Sequence, residues 1–547
     1  MSSTRYAYAF AASGIRAFLV AGGKLRDTVG ASEMVESLAT DLLDAVLNSL
    51  NYEEPQLQFS RRGGGAFTVV SSDRIQLERL RDLWSLTVRQ VLPGLAFQQG
   101  LGEGDDEYQA IANAMKRAER DPNSVQPHIP QAGPLTERNP RTGWPATTLK
   151  KYHDGHEFLD PATKAKRHPH FSGGTRLYHR VTPQRGNGGN PWIWPVLLYA
   201  DEAHEADVAG RRTNPILPYK GENHYVAAIH ADGNGMGGIL AELARNGRNA
   251  PGEYPGLMNN FSEAVSRAVE DAAREAVAVL TPEAVDDVLP GRPILLGGDD
   301  FSMIVRADLA LEFTRVFLQA FETQSGEALR CLAGKHPAIQ FPQRLTACAG
   351  IAFFKARQPF GLAFELADSL CKYAKKRVRK LPVSKENNRV PSAVAFHRIG
   401  SSVFHDYENI LSSEMTVADD PPMRLTLQPY GVGEKVRELP ELTDLMELAR
   451  FMNLKEVRSG HARQLLTLLR LSRAEARKRY GRWRENLDPK RNKKAPKGEV
   501  LNRFDAHLKK LGCKEPQNFP ELVDDVDGDC ATPLGDVMAL LAMGAEA

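Results

Sequence analysis

No run of apolar residues in this 547-residue chain approaches the roughly 18 needed to cross a bilayer, and its start carries no signal-peptide pattern. Those absences predict a cytoplasmic protein with no membrane partner. Cysteine is scarce as well. The five present (Cys331, Cys348, Cys371, Cys513 and Cys530) are scattered, odd in number and never spaced C-x-x-C. That excludes a disulfide framework and a cysteine zinc site, and it points to a reducing compartment. Net charge is nearly absent, at +2. What is present is ordinary: 42% apolar and 25% charged residues, the make-up of a soluble globular protein long enough for three or four domains.

The most informative stretch is Leu295-Leu296-Gly297-Gly298-Asp299-Asp300-Phe301-Ser302-Met303-Ile304-Val305. Two apolar runs around a short Gly-containing turn predict a β-hairpin with both acids at its exposed tip. A hard cation such as Mg²⁺ is usually held by one or two carboxylates together with nucleotide phosphates. Taken alone, GGDD is equally an ordinary polar tip.

The hairpin has a partner near the N-terminus. Gly63-Gly64-Gly65-Ala66-Phe67 aligns with Gly297-Gly298-Asp299-Asp300-Phe301, keeping the turn and losing both acids. Upstream of the second hairpin, the strand from Val226 runs into Ala231-Asp232-Gly233-Asn234-Gly235-Met236-Gly237. Its counterpart, Tyr8-Ala9-Phe10-Ala11-Ala12-Ser13-Gly14-Ile15, is read with Ser13 in the place of Asp232. Each unit closes with a helix, Tyr108 to Glu119 and Ala363 to Lys380. Such a pair is what a duplicated domain with one retired site would look like.

The chain divides coarsely into a first α+β unit (1–125), a Pro-, Gly- and Arg-rich linker or small irregular domain (126–220), a second α+β unit (221–404) and a basic helical region (405–547). Helices are expected from Met258 to Leu280, Leu439 to Phe451, Ala462 to Tyr480 and Asn502 to Leu511. Between Lys455 and Lys514 nineteen Lys/Arg stand against six Asp/Glu. That excess is either a surface for RNA or phosphate backbone, with Tyr480 and Trp483 among the arginines, or the solvated face of a helical bundle.

If the strands ending at Asp232 and at the GGDD tip are neighbours, Asp232, Asp299 and Asp300 converge at one end of a sheet. Three carboxylates are the minimum for one or two Mg²⁺ or Mn²⁺ ions, about 4 Å apart when paired, that align a hydroxyl with an α-phosphate and neutralise leaving pyrophosphate. Gly233 and Gly235 would let backbone approach the metal or phosphates.

These motifs, with the strand Leu345-Thr346-Ala347-Cys348-Ala349-Gly350-Ile351-Ala352 and the run Glu365-Leu366-Ala367-Asp368-Ser369-Leu370-Cys371-Lys372-Tyr373-Ala374-Lys375, resemble the large palm-domain subunit of type III CRISPR effector complexes. More distantly they resemble the GGDEF nucleotidyl cyclases. The stretch from Gly22 to Ser32 is similar to that family's first, degenerate palm. The resemblance implies two ferredoxin-like palm domains, an irregular inter-palm segment and a C-terminal helical domain. It implies a nucleotidyltransferase that makes cyclic oligoadenylate messengers from ATP in antiviral defence, with guide or target RNA and other effector subunits as partners. Asp232 and Asp299 would ligate the metals with Asp300 close by. Gly233, Asn234, Gly297 and Gly298 would line the nucleotide, and Lys375 would balance triphosphate charge unless it is an ordinary exposed helix lysine. The degenerate palm would wall a second nucleotide pocket.

The chain departs from that family in two ways. No HD nuclease domain is expected: His153-Asp154 is an HD pair by letters only. The inter-palm segment has no cysteine ribbon, and His153, His156, His168 and His170 are either a histidine metal site or solvated. Gly104-Asp105-Asp106 is expected in a polar loop, and Asp524-Asp525-Val526-Asp527-Gly528-Asp529 lacks the glutamate of a calcium loop. Two other functions remain open: a stand-alone cyclic nucleotide synthase, and a non-catalytic scaffold for RNA or partner subunits.

Overall fold

Tyr6-Ala7-Tyr8-Ala9-Phe10 alternates large and small side chains, and the strand it forms, β1 (Arg5–Ser13), packs differently on its two faces. Tyr8 meets Phe67 edge-on, and Phe10 stacks on Phe67 and packs against Trp84 and Phe97. Ala7 and Ala9 meet Ala110, Ile111 and Ala114 of the helix Glu107–Arg120. β2 (Gln58–Gly63), β3 (Ala66–Ser71) and β4 (Ala96–Gly104) complete a four-stranded sheet in the order β2-β3-β1-β4. The computed structural model describes residues 4–52, 57–120, 133–152, 155–172, 175–185, 190–199, 215–221, 224–381, 390–400, 406–418, 421–433, 435, 439–457, 460–488, 499–523 and 529–544.

Between the palms, β5 (Thr148–Tyr152) and β6 (Gly155–Leu159) form a hairpin followed by short helices. Arg167 in this segment pairs with the buried Asp27 of the first unit, and Arg180 bridges Glu36 of the first unit and Glu270 of the second.

The second unit repeats the first. β7 (Tyr225–Gly233), β8 (Gly291–Gly297), β9 (Asp300–Arg306) and β10 (Ala347–Lys355) stand in the order β10-β7-β9-β8, the same order as the first sheet. The sheet is then extended by β11 (Ser392–Arg398), parallel to β10, and by the short strand Tyr430–Val432. Ala227, Ile229 and Ala231 of β7 face a core built with the helices Tyr254–Val277 and Ala310–Lys335. Val226 and Ala228 face the helix Phe360–Val378. That helix lies close to the sheet because Gly350 has no side chain: a Cβ there would fall 2.0 Å from the Ala367 carbonyl oxygen. The fold is therefore α+β, with two palm domains and a helical C-terminal region.

Three expectations need correction. First, Gly14 and Gly235 both cap the following helix in the left-handed region, at φ 62° and 72°. Aligning them places Ala11, not Ser13, in the position of Asp232, and Ser13 in that of Asn234. Strand register agrees, since Ala11 opposes Ala66 as Asp232 opposes Asp300. Second, the expected helix Ala462 to Tyr480 is two, Gly460–Leu469 and Arg473–Leu487, because Ser472 caps the second through the Glu475 amide at 3.3 Å. Third, Tyr480 and Trp483 are buried in the helical core against Phe504, so they offer no stacking platform. The C-terminal region also contains a small four-stranded sheet of two-residue strands, too short to show an alternating pattern.

Gly104 ends β4, and Asp105 and Asp106 form the short connection to the helix Glu107–Arg120, which Asp106 caps, its Oδ1 accepting from the Gln109 amide at 2.7 Å. His156, His168 and His170 are exposed, and His153, Asp154 and most of the acidic tail from Asp524 lie outside the described residues. Among the described residues no helix is long and apolar enough to cross a membrane.

Candidate functional site

The antiparallel register of β7 and β9 places Asp232 directly across from Asp300, and that of β8 and β9 pairs Gly297 with Asp300 around the tip residues Gly298 and Asp299. Gly298 adopts φ 63°, the left-handed conformation that a two-residue hairpin loop requires at its first position. Three acids from two strand ends are thus brought to one end of the sheet.

The acids have different surroundings. Asp232 receives Lys375, whose Nζ lies 2.6 Å from Asp232 Oδ2 and donates to the Gly233 carbonyl at 2.7 Å. The Lys375 side chain is only 12% exposed, so it is not an ordinary surface lysine. Asp299 leans over Gly233, where a Cβ would stand 2.9 Å from its Oδ2. Burial, and then the charge of Asp232, push the Asp299 carboxyl up to about 6.

Asp300 faces the other way along the same side of the sheet. Its Oδ2 lies 3.4 Å from Arg16 Nη2, and its Oδ1 lies 3.2 Å from His230 Nδ1. Burial pushes Asp300 up to about 7, with Asp232 and Asp299 adding to the rise and Arg16 opposing it. Arg16 also pairs with Asp368, which Lys372 holds at 2.7 Å. His230 is buried and pushed down to about 3, first by burial and then by Arg16, so it is neutral. Arg16 lies 2.8 Å from its Nε2, which must accept. The ring proton is therefore on Nδ1, facing Ser302 Oγ at 3.0 Å and Asp300.

The expected set of three carboxylate ligands is accordingly not assembled. Among the described residues no group of three or more His, Cys, Asp or Glu is arranged to hold a metal ion. Asp232 and Asp299 do fit a divalent cation, as two adjacent carboxylates, one of which holds its proton to about 6 through burial and the charge of the other. Asp300 is drawn aside toward Arg16 through Oδ2, and its buried Oδ1 has no hydrogen-bond partner among the described residues.

Asn234 has a structural place at the site. It is buried, and its amide donates to Thr346 Oγ1 at 3.1 Å and to the Pro391 carbonyl at 3.3 Å, tying the end of β7 to β10. Gly297 meets the first palm instead of open space: a Cβ there would stand 2.9 Å from Gly64 Cα. The two hairpin tips are therefore in contact, the silent one against the acidic one.

Sequence reasoning missed Arg16, His230 and Asp368 as members of the site. Asp368, Lys372 and Lys375 were legible, since a spacing of four and seven residues shares a helix face. His230 stands two residues before Asp232 and so shares its strand face. Arg16 had no local signal, because its partners lie on another domain.

Residues 225–381 match the family model described as Cas10/Cmr2, second palm domain. No curated protein matches the chain. Among solved structures, it is similar to a Csm1–Csm4 cassette in complex with pppApApA (TM-score 0.44, 12% identity, 99% of this chain and 70% of that one). It is also similar to a Csm1–Csm4 cassette in complex with one ATP (TM-score 0.43, 13% identity, 100% and 70%). A third is the Csm1–Csm4 subcomplex of the type III-A CRISPR–Csm interference complex (TM-score 0.38, 12% identity, 69% and 54%). The chain thus spans 54% of the length of that last relative.

Proposed function

We propose that this chain, whose residues 225–381 carry a second palm of the Cas10/Cmr2 type, is a nucleotidyltransferase that joins ATP into cyclic oligoadenylates. In this reading it serves as the large subunit of a type III CRISPR-like effector in the cytoplasm, with RNA and other effector subunits as partners. The domain limits at 125, 220 and 404 belong to the same proposal. One observation carries it: Asp232 and Asp299 lie side by side at the strand ends of a matched palm, with Lys375 on Asp232.

In the reaction the 3′-hydroxyl oxygen of one nucleotide bonds to the α-phosphorus of the next, the bond to the pyrophosphate oxygen breaks, and the hydroxyl proton passes to solvent. A divalent cation held by Asp232 and Asp299 would supply the charge that makes the hydroxyl more acidic and offsets the developing negative charge. Lys375, within reach of the same end of the sheet, adds a positive charge suited to phosphate. The neutral His230 is engaged on both ring nitrogens and is no free general base. Positioning and electrostatics therefore supply the catalysis. With Tyr480 and Trp483 buried, RNA contact at the C-terminal region would rest on Lys/Arg charge and show the salt dependence of phosphate binding.

The test is incubation of purified protein with labelled ATP and Mg²⁺ or Mn²⁺, with and without RNA. Asp299→Ala combined with Asp300→Ala is expected to remove product while the thermal melt stays cooperative; retained product overturns the site. Product that needs no RNA favours a stand-alone synthase, and no product in any condition leaves the scaffold reading.

A further inference from the structure

Arg16 belongs to the first palm, on the short helix Ile15–Val20, yet its charged partners belong to the second. Its aim is set by packing. The same helix presses its end, Val20, against Gly361 at the start of Phe360–Val378, where a Cβ would lie 3.3 Å from Val20. From there the guanidinium fork spans Asp300 and Asp368 at once and meets His230 Nε2. A planar five-donor group is suited to bridging two carboxylates in this way. Asp300 Oδ2 is thereby turned to Arg16, while its Oδ1, buried 3.2 Å from His230 Nδ1, makes no hydrogen bond among the described residues.

Resting on the cation site proposed above, we propose that Arg16 is an inter-palm latch that holds Asp300 out of the cation's ligand set. The site then stands with two carboxylates, Asp232 and Asp299, while the latch is closed. Any displacement of the first palm that draws Arg16 away releases Asp300 toward the cation. Through one side chain, the palm without acids governs how many acids the other can use. Arg16 is a positioning residue: it acts on the cation through Asp300. The equivalent position in the second palm, by the glycine-cap alignment, is Gly237, so the latch is not part of the repeated pattern.

The test is Mn²⁺ binding to the nucleotide-free full chain, followed by electron paramagnetic resonance. Arg16→Ala is expected to bind Mn²⁺ about tenfold more tightly, the size of effect usual for a group that orients a metal ligand. Adding Asp300→Asn to that variant should return affinity to near the wild-type value. In the wild-type background, where folding is least at risk, Asp300→Asn should change affinity by less than about twofold. Unchanged or weaker binding in Arg16→Ala, a gain that survives Asp300→Asn, or a tenfold loss in Asp300→Asn alone each overturns the latch. Product formation from ATP reports separately on the proposed function. Product together with unchanged Mn²⁺ affinity in Arg16→Ala overturns the latch alone, whereas no Mn²⁺ binding and no product in the wild type overturns both.

Discussion

The two palms share a strand order, a two-residue hairpin loop and a glycine-capped helix after the first strand, and they differ in what stands at the tips. In the first, Gly63 pairs with Ala66 around Gly64 and Gly65, both at positive φ; in the second, Gly297 pairs with Asp300 around Gly298 and Asp299. The acids are not needed to form the turn. They are held up against burial and against one another, and only part of their charge is met by Lys375 and Arg16. A group kept in a setting that raises its proton affinity is a mark of function rather than of folding. The first palm shows the same hairpin relieved of that strain and put to another use, as a wall that touches Gly297 and as the base of Arg16.

The comparison breaks most visibly at Lys375, the cation held on Asp232. Lys375→Met should lower ATP polymerisation by about 10²-fold or more, as for loss of one preorganised charge in an active site. Steady-state product formation with a matched thermal melt checks this, and near wild-type rates would return Lys375 to a structural role. A smaller effect is expected where the tips meet. Gly297→Val places atoms within 2.9 Å of Gly64 Cα and should cost about 1–3 kcal/mol of stability, read from denaturant midpoints. Gly298→Ala, with nothing within 4 Å but φ 63°, should cost less.

The smallest effect is on pH dependence. An aspartate titrates near 4 in the unfolded chain but at about 6 for Asp299 in the fold, so between those values the folded chain binds the more protons. Wild-type stability should therefore fall as pH rises through that window. Asp299→Asn lacks this loss, so its Tm should exceed the wild-type value by a few degrees at pH 7.5 and by little at pH 4. An equal gain at both would show that Asp299 is not held protonated by its surroundings.

Much of the site was legible because strands and turns leave local marks. The apolar runs around Gly297 to Asp300 specified β8 and β9, and the acid ending the run from Val226 specified the end of β7. The repeat was visible from glycine placement, although the offset that matches Ala11 with Asp232 needed the strand register. The structural tie made by Asn234 was hidden because a polar residue beside a glycine-rich turn looks exposed in sequence, whereas Thr346 and Pro391, just before the paired strands β10 and β11, enclose it. Tyr480 and Trp483 were ambiguous for a related reason: arginines at neighbouring helix positions occupy the outer face while the aromatics turn inward.

The sequence by itself determined the α+β units, the GGDD hairpin, the acid at the end of the run from Val226, and the acid-free copy of the tip. Each follows from local propensity and from a residue's place along a strand. Only the tertiary structure decided which acids can act together. The docking of the first palm's helix carries Arg16 and turns Asp300 toward it, and the Phe360–Val378 helix brings Lys375 onto Asp232. Those pairings join residues more than a hundred positions apart, and their geometry is set by how whole elements pack.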